Sequence, residues 1–418
     1  MTVRPNQIAG LAAAIVDLRA LVAPADAALH QFFRRHAQMG RADRAFITEG
    51  LFAYFRRRRS LEALAGTDDA RRLALATLIR SCGHSVRDLE PAVRAKEVTW
   101  LAEFKARLDT PLEGAVAADL PDWLWERLGT AYGETERDEL ARALLVPAPL
   151  DLRINPLVTD RAQAIDRLRE SGIDAQPTPW SPLGLRVHGR PSLASHPLLL
   201  QGVIEIQDEG SQLVGLLVAP RRSDMVVDFC AGAGGKTLLL GALMRSQGRV
   251  YAFDTVDRRL VQLKPRLARS GLSNVHPQRI ANERDARVKR LAGKIDRVLV
   301  DAPCTGFGTL RRNPDLKWRQ PESAVAELAA KQGAILAAAA ALVKPGGRLV
   351  YATCSVLPDE NDVVVAAFLA AQPAFRQADA AAALRQAGST LDTGTALRTL
   401  PHRHGCDGFY AVVLERAA

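Results

Sequence analysis

The stretch Met225-Val226-Val227-Asp228-Phe229-Cys230-Ala231-Gly232-Ala233-Gly234-Gly235-Lys236-Thr237 decides the fold. A short apolar run, 225–229, leads into a turn holding three glycines, and a helical pattern follows over 236–244. In doubly wound sheets the first strand-to-helix turn uses glycine so that backbone can come close to a ligand lying beyond the carboxyl ends of the strands. Downstream, apolar strands at 250–253, 297–300 and 349–352 alternate with helical stretches such as 322–343. That alternation predicts an α/β fold, a Rossmann-like, mostly parallel sheet of seven strands with both faces covered. The apolar run 337–343 reads as a crossover helix on that sheet, and 408–414 as a last, antiparallel edge strand.

Upstream of this domain, residues 147–206 carry a strand at 150–154, a helix from 160 to 170 and a strand at 184–187, a small α+β element. Residues 1–146 have helical spacing, with apolar and aromatic groups three or four apart in 27–33 and 46–55. Arg56 to Arg59 read as the close of the second helix, where cations favour the C-terminus, with RNA contact as the competing reading. The expected domains are therefore 1–146, helical; 147–206, α+β; and 207–418, catalytic.

At 418 residues and 48% hydrophobic content the chain can bury a full core, and its net charge of +10 suits a polyanionic partner, nucleic acid first. Its five cysteines, Cys82, Cys230, Cys304, Cys354 and Cys406, show no C-x-x-C spacing and no matching histidine pair, so neither a metal site nor a disulfide framework is expected. A reducing, cytoplasmic setting fits that usage. The apolar stretch 8–22 is interrupted by Asp17 and Arg19, so neither signal peptide nor membrane span is read there.

The glycine turn and Asp254, nineteen residues beyond Gly235 at the end of the second strand, suit a cofactor carrying adenosine, the acid accepting from ribose hydroxyls. Glycine pattern alone does not separate a dinucleotide from S-adenosylmethionine. Gly234-Gly235-Lys236-Thr237 resembles the end of a P-loop, but the position five before Gly235 is Cys230 where that motif requires glycine, which sets ATP and GTP aside. Cys304, in Asp301-Ala302-Pro303-Cys304, and Cys354, in Thr353-Cys354-Ser355, both follow strand ends on the ligand side. Cytosine C5 is a poor nucleophile, and a thiolate adding at C6 makes it reactive, so a pair of thiols in the cleft points to methyl transfer to that carbon. Asp301 would bond the base at N3 and stabilise charge on the ring. An amino-group methyltransferase needs no thiol. Cys82 and Cys406 read as small buried hydrophobes, and Cys230 as structural, its backbone touching the cofactor.

These residues resemble the Sun/Nop family of RNA (cytosine-5)-methyltransferases, in particular its bacterial Sun/Fmu-type rRNA enzymes. The family's Cys-Ala-Ala-Pro-Gly-Gly-Lys loop is similar to Cys230, Ala231, Gly232, Ala233, Gly234, Gly235 and Lys236. Asp301 to Cys304 and Thr353 to Ser355 match its two thiol motifs, and Arg311-Arg312-Asn313-Pro314-Asp315, Lys317-Trp318, Gln207-Asp208-Glu209 and Asp407-Gly408-Phe409-Tyr410 are similar to further signatures. The resemblance covers about 147–418. It implies Cys354 as nucleophile, Cys304 as the group assisting release, and S-adenosylmethionine held by the 230–236 loop with Asp254, Asp285 and Asp301. Ala233 stands where the family has proline. The family's acid after the third strand falls at Asp285 or Asn282, and Asp285-Ala286-Arg287 favours the former. Arg41 to Phe46 and the helix after it more weakly resemble a NusB-like RNA-binding bundle. The implied activity is formation of 5-methylcytosine in small-subunit (16S) rRNA by a monomer; tRNA modification and a non-catalytic assembly role are the alternatives.

Overall fold

Twelve strands are laid down between Leu150 and Arg416 in two sheets; the computed structural model describes residues 3–189 and 191–418. The first sheet is antiparallel: β1 (Leu150–Ile154), β2 (Ala175–Pro177), β3 (Gly184–Val187) and β4 (Ile204–Ile206) lie in the order β2-β3-β1-β4. Leu152, Ile154, Leu185 and Ile204 share a core with Leu168 of the helix Arg161–Glu170, whose N-terminus is capped by Asp160.

The second sheet holds β5 (Met225–Asp228), β6 (Arg249–Asp254), β7 (Val275–Arg279), β8 (Ile295–Asp301), β9 (Val343–Thr353), β10 (Phe375–Ala378), β11 (Ala396–Thr399) and β12 (Phe409–Arg416). Its order is β10-β12-β9-β8-β5-β6-β7, with β11 also paired to β12. The four pairings from β7 across to β9 are parallel, and every pairing of β12 is antiparallel. Chain order reverses beside β5, with β6 on one side and β8 on the other, so a crevice opens beyond the carboxyl ends of β5 and β8. Val226, Val227, Val298, Leu299, Val350 and Tyr351 are all buried, as expected of strands covered on both faces.

The fold departs from expectation in four respects. β12 is not an edge: β9 flanks it on one side, while β11 and β10 share the other. Its run of apolar residues from Phe409 to Leu414 is buried throughout, as a strand covered on both faces requires. β11 makes eight strands instead of seven. β7 was not read from the sequence, because His276, Pro277, Gln278 and Arg279 lack the apolar run of a central strand; as the end of the parallel run, β7 needs none. Finally, the helix expected over 322–343 ends at Ala340 and Val343 begins β9.

The chain forms two compact units: Met1–Pro147 with Thr309–Glu322, and Ala148–Gly308 with Ser323–Ala418. In the first, α1 (Pro5–Leu18), α2 (Ala25–Arg35), α3 (Arg41–Ala65) and α4 (Ala70–Ser81) enclose Ile8, Leu11, Phe32, Leu51, Phe55 and Leu75. α1 and α3 approach closely at Gly10 and Gly50, where a Cβ would lie 2.6 Å from Ile47 and 2.7 Å from Leu11 respectively.

Arg56 to Arg59 do not close a helix. They sit inside α3 at a kink on Arg57 (φ −121°, ψ 21°). Arg58 pairs with Glu62 at 3.2 Å and Arg59 with Asp122 at 2.8 Å, so these two serve the unit's own packing.

The segment Thr309–Glu322 packs in this same unit. Trp318 Nε1 donates to the Phe55 carbonyl at 2.6 Å, Lys317 Nζ to the Arg56 carbonyl at 3.0 Å, and Asp315 accepts from the Ala25 N–H at 3.2 Å. The groups these residues satisfy are exposed by the kink in α3 and by the start of α2.

Candidate active site

The glycine turn between β5 and the helix Gly235–Leu243 is shaped by an acid and two arginines. Asp254, buried at the end of β6, accepts from the Gly232 N–H at 2.9 Å and the Val256 N–H at 2.7 Å. Arg266 donates to the Ala233 carbonyl at 2.6 Å and pairs with Glu205 of β4 at 2.8 Å. Buried Arg153 of β1 donates to the Gly235 carbonyl at 2.7 Å. Thus at the position where the related loop has proline, two guanidinium groups fix the carbonyls on either side of Gly234. Gly232 and Gly234 take left-handed backbone (φ +57° and +86°); a Cβ on Gly234 would strike Leu263, whereas the space beside Gly232 is open. Cys230 and Ala231 form the floor of the turn, and burial pushes the Cys230 thiol far up.

Asp228 is the last residue of β5 and is buried. Its Oδ2 accepts from Thr237 at 2.7 Å, but its buried Oδ1 has no hydrogen-bond partner among the described residues, and burial pushes the carboxyl up to about 7. An acceptor left over beneath a glycine turn, open backbone at Gly232 and a buried acid at the tip of β6 suit an adenosine-bearing cation such as S-adenosylmethionine. Asp285 lies beyond β7 as the cap of a short helix, accepting from the Ala281 and Arg287 N–H groups at 2.9 Å; those bonds hold its carboxyl below the usual range. Asn282 is exposed and accepts from the Arg284 N–H at 2.9 Å. Both side chains thus accept from backbone donors of their own loop.

One strand further, Asp301 ends β8, and Lys236 Nζ lies 2.7 Å from its Oδ2. Burial works against the Lys236 ammonium, but the Asp301 carboxylate overrides it and raises the pKa; Cys354 adds to that effect, which places its sulfur within electrostatic reach of the ammonium. Lys236 Nζ also lies 5.2 Å from the centre of the Phe409 ring. Cys304 and Cys354, each half-buried, meet with their sulfurs 3.4 Å apart. The neighbouring thiol first, then burial, push the Cys304 pKa well above the usual range.

The chain matches the family model for 16S rRNA methyltransferase RsmB/F over residues 215–415, and an RsmF/B-like ferredoxin-like domain over residues 120–193. It is 36% identical over 298 residues to the probable ribosomal RNA small subunit methyltransferase B of Synechocystis sp., covering 71% of this chain and 67% of that protein. With the Bacillus subtilis protein of the same description it shares 33% over 325 residues, 78% of this chain and 72% of the relative. The chain belongs to the RsmB/F family of 16S rRNA methyltransferases. As a member of that S-adenosylmethionine-dependent family it is an enzyme. Among solved structures, PH0851 aligns over 100% of both chains with a TM-score of 0.78 and 25% identity. NSun6 from Pyrococcus horikoshii, solved with the S-adenosylmethionine analogue SFG, has a TM-score of 0.63 over 71% of this chain and 98% of its own; at 20% identity that likeness is one of fold.

In this RsmB/F member the residues singled out in sequence gather at one end of the sheet: the 230–236 loop, Asp254, Asp301, Cys304 and Cys354 follow β5, β6, β8 and β9 in turn. Sequence reasoning passed over Glu360 and Asn361. They lie in the polar run Asp359 to Asp362, which reads as a solvated turn, yet both are buried against the Cys354 loop. Only the apolar residues 363–365 just after them hint that this turn faces inward. In the helical unit a cleft of about 640 Å³ is lined by Arg56, Arg57 and Arg80 among apolar residues. Among the described residues no group of His, Cys, Asp or Glu is arranged to hold a metal, and no helix is long and apolar enough to cross a membrane.

Proposed function

We propose that this enzyme forms 5-methylcytosine in small-subunit (16S) rRNA through a covalent adduct between Cys354 and cytosine C6. The observation that carries the reading is the pair of thiols 3.4 Å apart beside the Asp301–Lys236 ion pair. A single thiol at a strand end has many uses; two in contact at the ligand end of adjacent strands suit a reaction in which one adds and the other assists its expulsion. The Cys354 thiolate, beside the Lys236 ammonium, bonds to C6 and leaves C5 electron-rich. Bound S-adenosylmethionine supplies an electrophilic sulfonium methyl. Asp301 hydrogen-bonds the base at N3, where negative charge develops as C6 is attacked; cytosine N3 carries no proton of its own, so the carboxyl is the donor there. A base then takes the C5 proton, and the electrons of that bond re-form the C5–C6 double bond as the bond from Cys354 Sγ to C6 breaks and the sulfur leaves as thiolate; Cys304, kept protonated by its surroundings, assists this release.

For the cofactor we assign Cys230, Ala231, Gly232, Ala233, Gly234, Gly235 and Lys236 to backbone and local contacts, Asp254 to the ribose, and Asp285 and Asp301 to the far ends of the molecule; Asp228 Oδ1 joins them as acceptor for a positively charged group. The helical unit is the RNA-holding part, and its cleft of Arg56, Arg57 and Arg80 takes backbone phosphate. Arg80 has no hydrogen bond or ion pair among the described residues, and Arg57 lies 3.9 Å from Asp119. The parts act as residues 1–146 for RNA, 147–206 as a bracing domain and 207–418 as catalyst, in a cytoplasmic monomer that needs no metal.

The test uses wild type, Cys304→Ala and Cys354→Ala with S-adenosylmethionine and rRNA from cells lacking this gene. A denaturant-resistant protein–RNA adduct is expected in Cys304→Ala alone, with methyl transfer abolished in Cys354→Ala. An adduct confined to Cys354→Ala would reverse the roles; methyl transfer surviving both changes would overturn covalent catalysis and favour amine methylation. Activity on tRNA in preference to rRNA would shift the substrate.

A further inference from the structure

The segments carrying Cys304 and Cys354 belong to different strands, yet both hang from one side chain. Glu360 is fully buried. Its Oε1 accepts from the Thr305 N–H at 2.8 Å and from Gln332 Nε2 at 3.1 Å. Its Oε2 accepts from the Thr305 hydroxyl at 2.5 Å and from the Ser355 hydroxyl. Thr305 follows Cys304 and Ser355 follows Cys354, so one carboxylate grips the residue next to each thiol.

Neighbouring bonds tighten the same grip. Gln332 Nε2 also donates to the carbonyl of Pro303, the residue before Cys304, at 3.0 Å. Asn361 accepts from the Thr353 hydroxyl at 2.5 Å and donates to the Ser355 carbonyl at 3.0 Å, bracketing Cys354. The Gly308 N–H donates to the Cys354 carbonyl at 2.9 Å. Tyr351 donates to the Glu360 carbonyl at 2.6 Å, fixing the clamp to β9. A buried carboxylate is costly unless its lone pairs are filled, and here four donors fill them. All four donors come from segments next to the thiols or packed on them, so what this carboxylate fixes is the placement of the two thiol loops relative to each other.

We propose that Glu360 is a positioning residue that ties the Cys304 and Cys354 loops to one carboxylate and thereby sets the thiol–thiol geometry on which expulsion of Cys354 from the methylated base depends. The inference rests on the covalent reading above. It does not follow from it, since two thiols could be placed by their strands alone. Adduct formation needs only Cys354 at C6; resolution needs Cys304 held at the neighbouring carbon. Loosening the clamp therefore slows release more than attack.

Glu360→Gln and Thr305→Val are the informative variants, with Thr305→Ser and Cys304→Ala alongside, all in the full chain. Gln keeps the shape but puts an amide NH₂ among donors; Val keeps the shape of Thr305 and deletes one hydroxyl, which serine restores. Losing bonds to a buried charge predicts a fall in kcat of about tenfold or more for Glu360→Gln and Thr305→Val, with KM for rRNA unchanged and a denaturant-resistant adduct building up. Thr305→Ser is expected to recover both readings. If Cys304→Ala accumulates adduct while folded Glu360→Gln and Thr305→Val turn over normally without it, the clamp has no part in release. Should the only effect be a lower melting temperature, with kcat per folded molecule intact, Glu360 is a stability element and the proposal is wrong. Absence of adduct even in Cys304→Ala overturns the covalent reading itself, and this proposal with it.

Discussion

Asp254 accepts two backbone N–H groups, one from the glycine turn and one from its own loop, so its carboxylate organises the turn whose cofactor role is proposed above. Removing it leaves the Gly232 and Val256 donors unpaired. Asp254→Ala is expected to raise the Kd for S-adenosylmethionine by about 10–100-fold, from the loss of hydrogen bonds to a charged group worth about 1.5–3 kcal/mol, as read by calorimetric titration. An unchanged Kd would remove Asp254 from the cofactor site. The same residue marks what could be seen in advance. Asp254, Asp301 and both thiols could be singled out as candidates because each stands at or just after the end of an apolar strand. Glu360 has no such landmark: its role is set by which loop folds over it.

At the scale of elements, the segment Thr309–Glu322 carries signature residues that the sequence places in the catalytic domain, and in the structure they pack with α2 and α3. Lys317 is its buried cation. Burial first, then the Arg56 and Arg57 charges, lower its pKa to about 7 against the pull of Asp119. An unfolded lysine keeps its proton to about pH 10.4, so between the two values the unfolded chain binds more protons and stability rises with pH. The contribution is fully present above the unfolded pKa and is lost as pH falls through about 7. Lys317→Met removes this term. The difference in urea-unfolding free energy between wild type and Lys317→Met is expected to move in favour of wild type by on the order of 1 kcal/mol per pH unit between pH 7.5 and 9. A difference independent of pH would mean that Lys317 keeps its charge in the folded unit. β12 makes a related point about elements: its antiparallel sense was legible, but an interior strand and an edge strand with the same apolar run are told apart only by what pairs on each side.

Over the whole molecule, the net charge of +10 favours RNA, and the arginines of α3 divide by their partners. Arg58 and Arg59 are engaged with Glu62 and Asp122, whereas Arg57 lines the cleft together with Arg80 of α4. Arg57→Glu with Arg80→Glu is expected to lower the slope of log K for rRNA against log salt by about 2, one for each lost phosphate contact, and to raise KM with little change in kcat. Equal slopes in wild type and double variant would place the RNA elsewhere. The helical N-terminal region, the alternation that makes a parallel sheet, the glycine turn and the thiol-bearing strand ends were all legible in the chain before it folds. All of these are local patterns of period, turn and strand terminus, written within a few residues of one another. The tertiary structure alone decided that β12 is interior, that Arg56 to Arg59 lie within α3, that Thr309–Glu322 packs with the helices, and that Glu360 joins two loops separated by fifty residues. Those facts depend on which groups meet across long stretches of chain, and burial and hydrogen-bond partners exist only once the chain has closed on itself.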